Sequence, residues 1–302
     1  MWILITIAAA AFQTSRTALQ HRLRALLSVG GAGFVRYVYG APIAIAAVGV
    51  IVATGHALPV PPWRFWPIIA AAGAAQIVAT ICLIKAFDAS DFAIGTVFSK
   101  TEVVQTAFFS YVLLGEPLRP LGWLATITCF GGIVLLAGGW RRRPSSATPA
   151  SQASARLGMA ARFGLVAGGL FGLTAIGIRG ASLSLGSHPP VVRALVTLAV
   201  MNSMQTVMHG GYLAWRQPDQ VRLAFRHWRS SAVVGVLSVC GSACWALAFT
   251  LQNASKVRTL GQVELLFTFA VSHLVLHDRH SRRQYAATGL VLASVVAVVA
   301  FG

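Results

Sequence analysis

Two stretches of the chain read alike: "EVVQTAFFSYVLLGE" at Glu102–Glu116 and "ELLFTFAVSHLVLHD" at Glu264–Asp278. Laid over each other without gaps, at an offset of 162, they put Glu102 on Glu264, Thr106 on Thr268, Ser110 on Ser272 and Glu116 on Asp278. Each carries E-x3-T-x3-S, and a four-residue spacing holds three side chains near one face of a helix. Arg16 and Arg179 recur at a nearly equal offset, 163, while Arg36 and Arg193 each open an apolar run, in "FVRYVYG" and "VVRALVT". Self-similarity at about half the chain length predicts a duplicated fold.

Composition says what is duplicated. The 302 residues are 56% hydrophobic and 10% charged, against about 25% charged in a soluble domain, so most of the surface faces something other than water. Ten runs come close to the roughly 20 apolar residues that cross a bilayer: 2–19, 34–54, 64–86, 91–114 and 120–140, then 158–179, 190–214, 230–251, 257–277 and 283–301. They form two halves, 1–140 and 158–302, joined by 141–157, whose "RRRPSSATPASQASAR" has the composition of a solvated linker. Five spans per half is odd, so the second half enters the membrane upside down. The fold expected is an all-α membrane protein of ten transmembrane helices in two inverted five-helix repeats, the plan of many secondary transporters. The opening "MWILITIAAAA" lacks the basic n-region of a signal peptide and reads as a retained first span.

Lys and Arg number 24 against 7 Asp and Glu, a net charge of +17. In a soluble domain that excess would point to nucleic acid. Here most arginines lie between apolar runs, as anchors flanking a lipid bilayer, and no nucleic-acid partner is expected. Placing the N-terminus outside puts fourteen arginines on the cytoplasmic side, leaving Arg64, Arg119, Lys256, Arg258 and Arg179 opposite. The positive-inside rule then favours a multi-pass protein of the cytoplasmic (inner) membrane with both termini outside. The four cysteines fall in apolar runs without metal-ligand spacing. Neither a nucleophile with its base nor a cofactor or phosphate loop is present, so no enzyme, cofactor or metal is expected. Gly131–Gly132 and Gly168–Gly169 permit close helix packing.

The deep acids remain. The chain has three glutamates, and Glu102 and Glu264 fall near the middle of spans 91–114 and 257–277, where a carboxylate costs at least about 2.5–3.5 kcal/mol. Read functionally, both acids line a polar cavity and hold a proton or a cationic group of a small metabolite. Thr106, Ser110, Thr268 and Ser272 then supply hydrogen bonds, with Gln105 and Gln262 near the wall. Lys100, two residues before Glu102, points away from it on a regular helix and is free to pair with Glu264 or to bind an anion. Read structurally, the acids pair with Arg36, Arg193 or Lys100 and lock the fold. Arg36 and Arg193 lie within a turn of a span end, where a long side chain snorkels to the interface. His209 and His273 are helix-end histidines, interfacial or proton-relaying.

"TEVVQTAFFSYVLLGEPL", with the "L-G-E" of Leu114–Glu116 and the "RY" of Arg36–Tyr37, resembles the drug/metabolite transporter superfamily, specifically its EamA-type ten-helix members. The resemblance covers essentially the whole chain. It implies a ten-helix bundle with a central cavity and the export or exchange of small metabolites. In two respects the chain departs from that pattern. Glu102 and Glu264 stand where the family commonly has proline, and the arginine distribution places the N-terminus outside where the family keeps it cytoplasmic. The competing expectation is a membrane scaffold or lipid-handling subunit without a solute pathway of its own.

Overall fold

A computed structural model of the chain describes residues 1–23, 26–89, 97–138, 150–267 and 282–301. Among the described residues the elements are helices: α1 (Trp2–Leu23), α2 (Val29–Ala53), α3 (Phe65–Ala89), α4 (Glu102–Leu114), α5 (Pro120–Gly138), α6 (Ala150–Ser184), α7 (Pro190–Arg216), α8 (Pro218–Arg226), α9 (Trp228–Leu251), α10 (Ala254–Gly261) and α11 (Arg282–Phe301). Residues 97–100 and 263–267 are helical as well. Their limits follow local chemistry. Ser28 caps α2 by accepting from Gly31 N at 3.2 Å. Proline opens α5, α7 and α8, where its missing N–H is no loss. Gly115, at φ +64°, turns the chain out of α4 in the left-handed region glycine favours.

Six of the helices are long and apolar enough to cross a membrane, at Val29–Ala53, Phe65–Ala86, Leu157–Ser184, Pro190–Arg216, Trp228–Leu251 and Arg282–Phe301. They coincide with six of the ten expected spans. Two others differ in a way that matters. Span 91–114 is not one continuous helix: α4 has 13 residues and starts at Glu102, behind a turn at Thr101. Span 257–277 is interrupted by a turn at Gln262, after α10. Glu102 and Glu264 therefore each sit just past an interruption of helical hydrogen bonding rather than in the middle of a regular helix, although at Thr101 the backbone stays right-handed (φ −56°, ψ −15°). The second copy of the E-x3-T-x3-S pattern lies outside the described residues beyond Phe267, and Thr268, Ser272 and His273 with it.

The chain forms two compact units, each drawing on both sequence halves. One comprises residues 1–77 and 174–257. In it α1 packs on α9, α2 on α7 and α9, and the short α8 against α2 and α7. Leu23, Leu27, Phe34, Val35, Leu213 and Val234 are buried together at its core. Polar ties hold helix to helix: Trp245 Nε1 donates to Gln13 at 3.1 Å, and Ser28 N to Gln220 at 2.7 Å. Arg179 Nη1 donates to the carbonyls of Phe249 and Gln252 at 2.6 and 2.8 Å, a cation on the negative end of α9.

The other unit comprises residues 78–173 and 258–302. There α5 lies along α11 and against α4. Gly132 makes the first contact possible, since a Cβ there would stand 2.8 Å from Val291 Cγ2, while Gly131 faces open space. Along α6, a Cβ on Gly164 would meet Phe98 Cβ at 2.4 Å, and one on Gly168 would meet Ser99 O at 2.8 Å. Small residues one turn apart thus let the segment around Lys100 lie directly on the α6 backbone.

Candidate functional site

That segment ends in the turn at Thr101. The Thr101 hydroxyl donates to Phe98 O at 2.6 Å and accepts from Gln105 Nε2 at 2.9 Å, and Gln105 also reaches Leu165 O at 3.4 Å. On a regular helix residues two apart point to opposite sides. The interruption at Thr101 and the length of the lysine side chain relax that constraint, and Lys100 Nζ lies 3.9 Å from Glu102 Oε1. Lys100 therefore does not point away from Glu102; the expectation assumed an unbroken helix. The same ammonium is paired with Glu264, so one lysine bridges the two repeated acids.

The second break supplies the rest. Gln262, in the turn after α10, donates from Nε2 to Arg258 O at 3.1 Å and to Glu102 Oε1 at 3.5 Å. Arg258 Nη1 stands 4.0 Å from the same oxygen. Glu102 thus faces three donors, Lys100, Arg258 and Gln262, and lies in the first turn of α4, where the helix dipole favours an anion. Relative exposures are 9% for Lys100, 6% for Glu102, 8% for Arg258 and 1% for Gln262. The group holds two cations and two carboxylates, a balance without which burial of any of them would be prohibitive.

Glu102, Thr106 and Ser110 are all buried, so the first copy of the pattern occupies one face, as its spacing required. Thr106 Oγ1 and Gln262 Oε1 have no hydrogen-bond partner among the described residues, whereas Ser110 Oγ donates to Glu116 Oε2 at 3.5 Å. Among the described residues no cluster of three His, Cys, Asp or Glu is placed to hold a metal.

Arg36 and Arg193 belong to the other unit. The expectation that Arg36 snorkels is overturned. α2 starts at Val29, which puts Arg36 two turns into the helix, at 7% exposure. Arg193 is half-buried in the first turn of α7, its Nε without a hydrogen-bond partner among the described residues. Arg258 is the residue the sequence reading missed, by assigning it to an external loop. The available signal was Arg258 and Gln262 one helical turn apart, just ahead of Glu264.

Chemically, the cluster is a shared-partner arrangement. Lys100 serves two acids and Glu102 serves three donors, so neutralising one acid, by a proton or by a cation of a solute, releases Lys100 to the other. Segments 1–138 and 158–300 of the chain match the model of the EamA-like transporter family. The chain belongs to this family. It is accordingly a multi-pass membrane protein of transporter type. A solved structure titled "Crystal structure of protein" shares its fold, with a TM-score of 0.73 at 14% identity over 99% of this chain and 95% of the other. No curated protein matches the chain.

Proposed function

We propose that this EamA-family protein is a secondary active transporter of the cytoplasmic membrane that exports or exchanges a small polar or charged metabolite by alternating access. Its ten spans form two inverted repeats, 1–140 and 158–302, and Lys100, Glu102, Arg258, Gln262 and Glu264 form its coupling centre. The observation that carries this reading is the Lys100 bridge from Glu102 to Glu264, with each acid next to a helix break. Broken helices within a membrane are tolerated where they line a site or are enclosed by protein, and transporters use them to bring charged groups to the solute. In the resting arrangement Lys100 ties the two acids together. Arrival of a proton or of a solute ammonium at Glu264 ends that tie, and Lys100 falls to Glu102, which shifts the relation between the segments carrying them. Thr106 and the Oε1 of Gln262, which has no partner among the described residues, offer hydrogen bonds beside this centre, and Thr268 and Ser272 continue the same sequence pattern in the second repeat.

The test is uptake and exchange of metabolite pools by proteoliposomes containing the wild type, Glu102→Gln or Glu264→Gln. Each substitution is expected to lower transport per folded molecule at least about tenfold, the loss of roughly one charge-assisted interaction. Normal transport by both variants would remove the coupling centre. A fold-locking role is favoured by the mutual pairing of all four charges, and it predicts instead that whatever folded protein both variants retain transports normally.

A further inference from the structure

The unit of residues 1–77 and 174–257 buries a second polar group that the coupling centre does not use. On α2, Gly33, Tyr37 and Gly40 share one face, and on α7 Asn202, Gln205 and His209 share another, by three- and four-residue spacing. The two faces meet. A Cβ on Gly33 would lie 3.1 Å from His209 Cε1, and one on Gly40 would lie 3.3 Å from Asn202 Nδ2. The rings of Tyr37 and His209 stand 6.0 Å apart, and the Arg36 guanidinium carbon is 5.5 Å from the Tyr37 ring centre. Arg36 is 7% exposed, Tyr37 2% and His209 4%. Arg16 of α1, half-buried, lies within electrostatic reach of Arg36 and Tyr37.

Among the described residues of the unit no carboxylate pairs with these cations. Its one acid is Asp219, which is exposed and paired with Arg222 at 3.6 Å. The Nε atoms of Arg16 and Arg36, the Tyr37 hydroxyl and both ring nitrogens of His209 are buried without a hydrogen-bond partner among the described residues; Arg16 Nη2 makes one contact, 3.5 Å to Thr17 Oγ1. The Tyr37 ring face offsets part of the Arg36 charge but satisfies none of its N–H groups. Arg179 shows the contrast, being satisfied within this unit by two carbonyls. A buried guanidinium Nε without an acceptor is a costly arrangement that a ligand oxygen would relieve. A set of donors with net positive charge calls for a ligand that supplies acceptor oxygens and negative charge, and guanidinium geometry suits carboxylate and phosphate oxygens.

We propose that Arg36, Tyr37 and His209, with Arg16 as second cation, form a binding site for an oxyanion, the carboxylate or phosphate of a small solute or of a lipid headgroup. The site stands independently of the transport reading, because binding is measured without transport. The experiment uses the purified full chain in neutral detergent, its melting temperature followed while phosphate or acetate replaces chloride at constant ionic strength, and, in parallel, while phosphatidylglycerol or phosphatidylcholine is added. A ligand of the folded state raises that temperature saturably. The expected result is a saturable rise with phosphate, acetate or phosphatidylglycerol, unchanged in Arg222→Gln. Its midpoint should weaken about tenfold or more in Arg36→Gln and in Tyr37→Phe, the loss of one charge-assisted or polar contact. A rise with the soluble anions identifies a solute as the source, and a rise with phosphatidylglycerol alone identifies a headgroup. The absence of any rise in the wild type, or an identical rise in Tyr37→Phe and Arg36→Gln, would overturn the proposal. Tyr37→Phe removes only a hydroxyl that has no partner among the described residues, so it keeps the test decisive should Arg36→Gln fail to fold.

Discussion

In the unit of residues 78–173 and 258–302, Lys100 and Arg258 lie with Glu102 and Glu264, two charges of each sign. In the unit of residues 1–77 and 174–257, Arg36 and Arg16 lie near Tyr37 and His209, and the unit's one acid, Asp219, pairs with Arg222 instead. Both sets are withdrawn from water, and elementary electrostatics treats them oppositely. A balanced set is self-sufficient: each charge is solvated by its neighbour, and removing one strands another. An unbalanced set is strained until something from outside joins it. The first arrangement suits a group whose pairing changes during a cycle, the second a group that waits for a ligand. Removing a cation from each unit is the most direct way to break the comparison, because the two effects have opposite sign.

The largest effect expected is from Lys100→Met, which leaves two buried carboxylates with one cation. Stranding a buried charge costs about 3–5 kcal/mol, read as a marked fall in melting temperature or loss of folded protein in neutral detergent. Adding Glu264→Gln should restore most of it, since charge balance returns. Arg36→Met, in the absence of added oxyanion, should do the reverse and raise the melting temperature, by up to about 1–4 kcal/mol, the range seen when buried charge gives way to well-packed apolar groups. Equal losses from Lys100→Met and Arg36→Met would mean that Arg36 already has a partner, and the distinction between the units would fall.

A smaller effect separates the two frames that hold these groups. Alanine at Gly168 must push its Cβ to within 2.8 Å of Ser99 O and 3.0 Å of Glu102 N, backbone atoms that cannot swing aside. Overpacking of this sort costs about 1–3 kcal/mol. Alanine at Gly33 meets only the edge of the His209 ring, at 3.1 Å, and replacing a helical glycine recovers about 0.5–1 kcal/mol. Gly168→Ala should therefore lower the melting temperature and disturb the Lys100 segment, while Gly33→Ala leaves stability near the wild type. Matching losses would show that the α2–α7 face is as rigid as the α6 contact.

How much of this was legible beforehand differs between the same two regions. The apolar runs located six membrane-length helices because a span announces itself by composition alone. The pattern of Glu102, Thr106 and Ser110 gave the buried face of α4 because helical spacing is local. The breaks at Thr101 and Gln262 were not legible. Neither position carries proline, and the polar side chains that bond locally at each turn, Thr101 to Phe98 and Gln262 to Arg258, also occur in unbroken helices, while the longer contacts to Leu165 and Glu102 are tertiary. Arg258 was lost for the same reason: with the break unrecognised, a charge at the start of an apolar run reads as a flanking anchor. The cationic cluster was half visible. Arg36 and His209 stood out as residues, but nothing local brings two helices 160 residues apart together, and an α2 start drawn five residues late moved Arg36 to the interface.

The smallest effect sharpens the comparison on the side of function. Thr106 in α4 and Thr197 in α7 are both fully buried, and neither hydroxyl has a partner among the described residues. Valine has nearly the same shape, and replacing an unsatisfied hydroxyl with a methyl group is close to neutral or mildly stabilising, within about 1 kcal/mol. Thr106→Val and Thr197→Val should thus melt alike. They part only in proteoliposomes. Thr106 shares its face with Glu102, so if the solute or its proton passes along that face, Thr106→Val slows transport several-fold while Thr197→Val leaves it unchanged. A hydroxyl that merely fills the core changes neither measurement, and unchanged transport in Thr106→Val would confine the working part of the α4 face to the charged cluster at its first turn.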